Sequence, residues 1–207
     1  TTTAQPLPDR PAPGVRPVDG GVTVAVPAAS ASAVWLCLFD DDGSAKGAER
    51  RVSLPAAGEG WWGGFVPDVR PGTRYGLRAD GPWEPGSGML ANPRKLLLDP
   101  RARGVSHSSP LLSAFFPFEV DAMLDRRDEV PQRSEVDSGD SAVWSVVVDD
   151  AFDWQDDLRP MVDWDATVLY ELHVKGFTRL HPELPPEQRG TYAGLGHPAV
   201  TGYLRDL

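Results

Sequence analysis

Between Gly21 and Phe118, short strand-like runs recur, each bounded by turn residues, at the spacing expected of an all-β sandwich. "GVTVAVPA" alternates in the period of two that places one side chain inward and the next outward. "SAVWLCLFD" is a near-continuous apolar run, and "DDDGSAKG" supplies turn chemistry before "ERRVSLPA". "GWWGGFVPDV" and "TRYGLRADGPW" complete a second group of runs. The expectation for this part of the chain is a small antiparallel β domain.

The totals set the class. A chain of 207 residues holds one ordinary domain, or a small domain with part of another. Its 41% hydrophobic and 24% charged content is that of a globular protein, and no apolar run approaches the roughly twenty residues of a bilayer span. A net charge of -10 repels phosphate backbones, so neither nucleic acid nor an anionic membrane is expected as a partner, and neutral substrates fit better. The start, "TTTAQPLPDRPAPGVRPVDGG", lacks the basic and apolar regions of a secretory signal, and residues 1–12 read as a flexible lead-in. A single cysteine, Cys37, cannot form an internal disulfide; it suits a reducing cytoplasm and reads as a small buried hydrophobe.

The texture then changes. "AMLDRRDEVPQRSEVDSGDSA" is polar and without periodicity, so residues 119–142 are expected to form a linker or long loop. An apolar strand is expected over Val143 to Val148, followed by an acidic connector rich in aromatics. In "TVLYELHVKGFTRLHP", Val168, Tyr170, Leu172 and Val174 fall on one face of a strand, and Leu169, Glu171, His173 and Lys175 on the other. After an irregular segment, His197 and Pro198 mark a helix start, and Val200, Tyr203, Leu204 and Leu207 form its apolar stripe. Strand, loop and helix make up the first two thirds of a βαβ unit whose second strand is not in the chain. The chain is therefore expected to be a fragment, with residues 143–207 docked on the first domain or only partly ordered.

These residues carry a family resemblance. "VLYELHVKGFTRLHPELPPEQRGTYAGLGHPAVTGYLRDL" resembles the opening of the catalytic barrel in glycogen debranching enzymes of the isoamylase type, within the α-amylase superfamily. "RYGLRADGPW", "NPRKLLLDP" and "FDWQDD" are similar to segments that these enzymes carry in the same order. The resemblance implies a mainly β chain: a carbohydrate-binding module of family 48, an immunoglobulin-like β-sandwich, over residues 13–118, then the first strand and helix of an incomplete (β/α)8 barrel over 143–207. It also implies an enzyme that hydrolyses α-1,6-glucosidic branches of glycogen or limit dextrin, with α-glucan and the remainder of the barrel as partners. A stand-alone glucan-binding or protein-interaction module is the alternative.

Glycoside hydrolysis needs two carboxyl groups flanking the scissile bond. The family places these on later barrel strands, so no residue here is assigned to catalysis, and the chain alone is expected to be inactive. Sugar binding needs aromatic faces; Trp61, Trp62, Tyr75 and Trp83 are the candidates, with adjacent Trp61 and Trp62 facing opposite sides of a strand. Glu171, His173 and Lys175 are expected to point into the barrel interior, as support for the site or as an ordinary polar network. Asp149, Asp150, Asp153, Asp156 and Asp157 lack the spacing of an EF-hand loop, and His173, His181 and His197 lack that of zinc ligands. The histidines read as turn, cap or barrel-wall residues, Arg94 and Lys95 as structural, and no metal or cofactor is expected.

Overall fold

The computed structural model describes residues 2–39, 48–120 and 130–207. Two compact units result, Thr1–Phe152 and Asp153–Leu207. The turn read in "DDDGSAKG" and the part of the polar excursion over 121–129 lie outside the described residues.

The first unit contains β1 (Thr2–Thr3), β2 (Gly14–Val18), β3 (Gly21–Pro27), β4 (Ala33–Phe39), β5 (Glu49–Ser53) and β6 (Trp61–Pro67). It continues with β7 (Arg74–Asp80), β8 (Trp83–Glu84), β9 (Met89–Leu90), β10 (Gly104–Val105) and β11 (Ser145–Val146). One sheet has the order β1-β5-β4-β7-β11-β10, a second β2-β3-β6, and β8 and β9 form a small hairpin. The expected all-β sandwich is therefore present.

Alternation builds its core. Val22, Val24 and Val26 of β3 are buried, and they share one cluster with Val34, Leu36 and Leu38 of β4, Val52 of β5 and Val66 of β6. Burying each such side chain contributes about 1.5–3 kcal/mol. β4 is covered on its other face as well, where Cys37 and Phe39 pack with Leu96, Ala142 and Trp144. That second cover explains why its run is apolar almost throughout. Gly76, opposite Cys37 on β7, makes room for it: a Cβ there would lie 2.8 Å from the Leu96 side chain.

Two expectations change in this unit and a third is refined. The lead-in is ordered at its start, because β1 runs parallel to Val52 and Ser53 of β5, Ala4 is buried, and Gln5 exchanges backbone hydrogen bonds with Phe65 of β6. Residues 130–142 form a loop, as expected, but one tied to the sandwich: Ser134, Ser138 and Ala142 are buried, and the Ser138 hydroxyl accepts from Leu96 N–H at 2.8 Å. Ser145 and Val146 pair with Tyr75 and Arg74, so this segment extends the sandwich sheet instead of opening the second unit.

The second unit has a 3-10 turn at Trp164–Ala166, then α1 (Val174–Thr178), α2 (Tyr192–Leu195) and α3 (Pro198–Asp206). α1 packs against α2, and α2 against α3, around buried Thr178, Leu184 and Val200. The helix expected at His197 and Pro198 is present, with His197 as its cap. The strand expected over Val168 to Lys175 is not formed. Residues 168–173 have no ladder partner among the described residues, and Val174 and Lys175 open α1. Val168 and Leu169 are 91% and 81% exposed. A strand is stabilised by its neighbours' hydrogen bonds and faces, and without them its apolar residues have nothing to bury against.

Candidate functional site

Strand geometry separates the candidate aromatics. On β6, Trp62 packs against the sandwich core, and its indole N–H donates to the Ala28 carbonyl at 3.0 Å. Trp61, on the opposite face, is half-buried beneath the Arg10 guanidinium, which stands 4.5 Å from its ring centroid and 3.6 Å from the Glu59 carboxylate. Trp83 projects from the β8–β9 hairpin with the Arg133 guanidinium 5.2 Å from its ring. Arg133 is held in turn by the Gly81 carbonyl at 3.4 Å and Asp80 at 3.9 Å. Trp61 and Trp83 thus each carry a guanidinium over one ring face.

Tyr75 must be corrected. It is 1% exposed, its hydroxyl donates to buried Asp99 at 2.8 Å, and burial together with that carboxylate drives its acidity down and its pKa up. Its face belongs to the core, because it lies on the inward side of β7. Trp62 is likewise committed to packing.

Several buried polar residues tie residues 92–95 and 134–137 to the sandwich. Arg78, fully buried on β7, donates to both Glu49 oxygens at 2.8 and 2.7 Å, to Asp137 at 2.9 Å and to the Pro93 carbonyl at 3.0 Å. Burial raises the Glu49 and Asp137 pKa values, but the hydrogen bonds and charge of Arg78, with the Arg51 hydrogen bond on Glu49 and the Gly139 N–H on Asp137, together outweigh it and hold both below the usual carboxylate range. Lys95 spends its three donors on the Ala114 carbonyl, the Ser134 hydroxyl and the Val136 carbonyl at 2.9, 3.1 and 2.6 Å, and burial lowers its pKa. Asn92 ties the Pro117 and Ser134 carbonyls together, both at 2.9 Å. Arg78 was not among the expected site residues although a signal was present: a cation inside "YGLRA", on a strand otherwise apolar at its centre. Lys95 is structural, as read.

In the second unit Glu171, His173 and Lys175 do not share a strand face. All three are exposed, and His173 caps α1 by accepting the Gly176 N–H on Nδ1 at 3.0 Å. His181 and His197 act in the same way toward Glu183 and Ala199, both at 3.3 Å. Asp149 and Asp153 accept backbone N–H groups two residues ahead, and Asp150 pairs with Arg16 and Arg103. Among the described residues no group of three or more His, Cys, Asp or Glu side chains is placed to hold a metal ion, and no helix is long and apolar enough to cross a membrane.

Residues 12–102 match the family described as carbohydrate-binding module 48, the isoamylase N-terminal domain. The chain is 45% identical over 199 residues to a glycogen debranching enzyme of Erwinia tasmaniensis, a match covering 96% of this chain and 28% of that protein. A glycogen debranching enzyme of Cronobacter sakazakii is 45% identical over 190 residues, covering 90% and 26%. The chain thus spans little more than a quarter of the relatives it matches. Among solved structures, it resembles pullulanase from Bacillus acidopullulyticus at 19% identity and a TM-score of 0.57, over 93% of this chain and 19% of that one. The catalytic module of a glycogen-degrading pneumococcal virulence factor is similar at 16% identity and a TM-score of 0.57, over 95% and 25%. These two likenesses concern the fold alone.

Proposed function

We propose that this chain is the N-terminal portion of a cytoplasmic glycogen debranching enzyme, whose complete form hydrolyses α-1,6-glucosidic branches by the two-carboxylate retaining mechanism. The observation that carries the reading is the 45% identity running through 96% of this chain but only 28% of the relative. The sandwich is its carbohydrate-binding module, and Asp153–Leu207 opens the catalytic barrel. The exposure of Trp164, Val168, Leu169 and Tyr170 supports this, since such side chains lie in water only until further strands cover them. The catalytic carboxylates lie on those later strands, so this chain supplies no acid, base or nucleophile. Trp61 and Trp83 are the α-glucan contacts, each with its arginine donating to sugar hydroxyls.

Reducing-sugar release from branched glucan tests the reading. The 207-residue chain is expected to release none, while the chain extended through its continuing reading frame restores the activity; release by the short chain alone overturns the proposal. Affinity electrophoresis in glycogen tests the contacts. Retardation that weakens by about three- to tenfold in Trp83→Ala or Trp61→Ala supports them. Unchanged mobility of the parent chain assigns the module to packing against the barrel.

A further inference from the structure

The chain contains four histidines, and all three in the second unit make the same contact: an unprotonated Nδ1 accepts a backbone N–H two or three residues ahead. His173 caps α1 and His197 caps α3, each with the extended backbone of a helix N-cap, and His181 closes the turn between α1 and α2. Serine, asparagine or aspartate ordinarily fills such positions and accepts across the neutral pH range. An imidazole accepts there only while neutral, because protonation puts a hydrogen on Nδ1 and turns the acceptor into a donor facing a donor.

Charged residues of both signs lie on the same elements. Lys175 on α1 and Arg179 at its end are like charges, Arg189 is turned onto the Leu184 and Pro182 carbonyls, and Arg205 pairs with Asp206 on α3. Glu171, Glu183 and Glu187 are exposed to water, where their attraction for an imidazolium is weak. The module is also held by Phe177 packed between Tyr170 and Tyr203, by the Thr178 hydroxyl accepting from Gly190 N–H at 2.9 Å and by Thr191 capping α2, but its buried side chains are few and α1 and α2 are short.

We propose that residues 173–201 form a pH-sensitive latch, in which His173, His181 and His197 release their backbone contacts together as their rings protonate. The sign follows from the geometry: each contact is complete while its ring is neutral and is lost when Nδ1 takes a proton. The inference is independent of the debranching assignment.

Amide exchange by NMR on the 207-residue chain, corrected for intrinsic rates, tests it at Gly176, Glu183 and Ala199. Protection at each is expected to fall about fivefold or more from pH 7.5 to pH 5, while Val24 in the sandwich stays protected. The triple variant His173→Asn, His181→Asn, His197→Asn keeps an acceptor at every pH and is expected to abolish the change. Equal loss in that variant, or no protection at pH 7.5 in the parent, overturns the proposal. Imidazole nitrogen shifts of the parent chain give a readout that needs no variant: the Nε2–H tautomer at pH 7.5 is expected at all three rings, and the Nδ1–H tautomer overturns it.

Discussion

β4 and residues 168–172 have similar apolar content and opposite fates. In β4, Leu36, Cys37 and Leu38 are at most 1% exposed; in "VLYEL", Val168, Leu169 and Tyr170 are 58–91% exposed. β4 has a ladder partner on each side, β5 and β7, and a layer over each face, whereas residues 168–172 have none of these among the described residues. Hydrophobic content therefore does not by itself place a residue inside; paired backbone and a covering layer do. The first unit closes its own core. The second leaves most of its large apolar side chains in water.

Substitutions can break this contrast, and the largest effect belongs to the self-contained unit. Leu36→Ala removes a fully buried side chain and is expected to lower the stability of the sandwich by about 3–5 kcal/mol in urea denaturation followed by tryptophan fluorescence. Arg78→Met removes the buried cation that Glu49 and Asp137 share and leaves them only the more exposed Arg51. Because both carboxylates keep some contact with water, a loss of about 3 kcal/mol is expected in the same measurement. Lys95→Met strands the Ala114 and Val136 carbonyls, and about 2 kcal/mol is expected.

Acid probes the same network. Glu49 and Asp137 are held below the usual carboxylate range, so their contribution is complete above about pH 4 and is lost as pH falls through their folded values. Thermal unfolding of the sandwich is expected to stay level from pH 7 to about pH 5 and then drop, and Arg78→Met to flatten that drop. Leu169→Ser gives the smallest effect, under about 0.5 kcal/mol in this chain, because the side chain is already exposed. In the chain extended through the proposed barrel the same substitution is expected to cost several times more. An equal, small effect in both contexts would remove the case that later strands cover this segment.

Much of the fold was legible because local chemistry and tertiary outcome agreed. Alternation in β3 and the apolar run of β4 follow from period-two packing, and Pro198 after His197 marks the start of α3 where it occurs. The candidate site was half legible. Trp61 and Trp62 do face opposite sides, but nothing local distinguishes a half-exposed Trp83 from a buried Tyr75. That difference rests on Asp99, twenty-four residues away and itself buried, which supplies the hydroxyl's partner. Arg78 was missed for a related reason: its meaning comes from Glu49 and Asp137, neither near it in the chain.

By itself the sequence determined where strands and turns alternate, that Cys37 is a buried hydrophobe, and where the last helix begins, since dihedral preference, capping and side-chain period act within a few residues. Only the tertiary structure decided that Thr2–Gln5 straps both sheets and that Ser145 and Val146 join the sandwich. It alone decided, too, that 168–173 is left without a ladder among the described residues. Those outcomes depend on which distant backbone is available to pair. A strand's period says which face is apolar, not whether a partner is there to cover it.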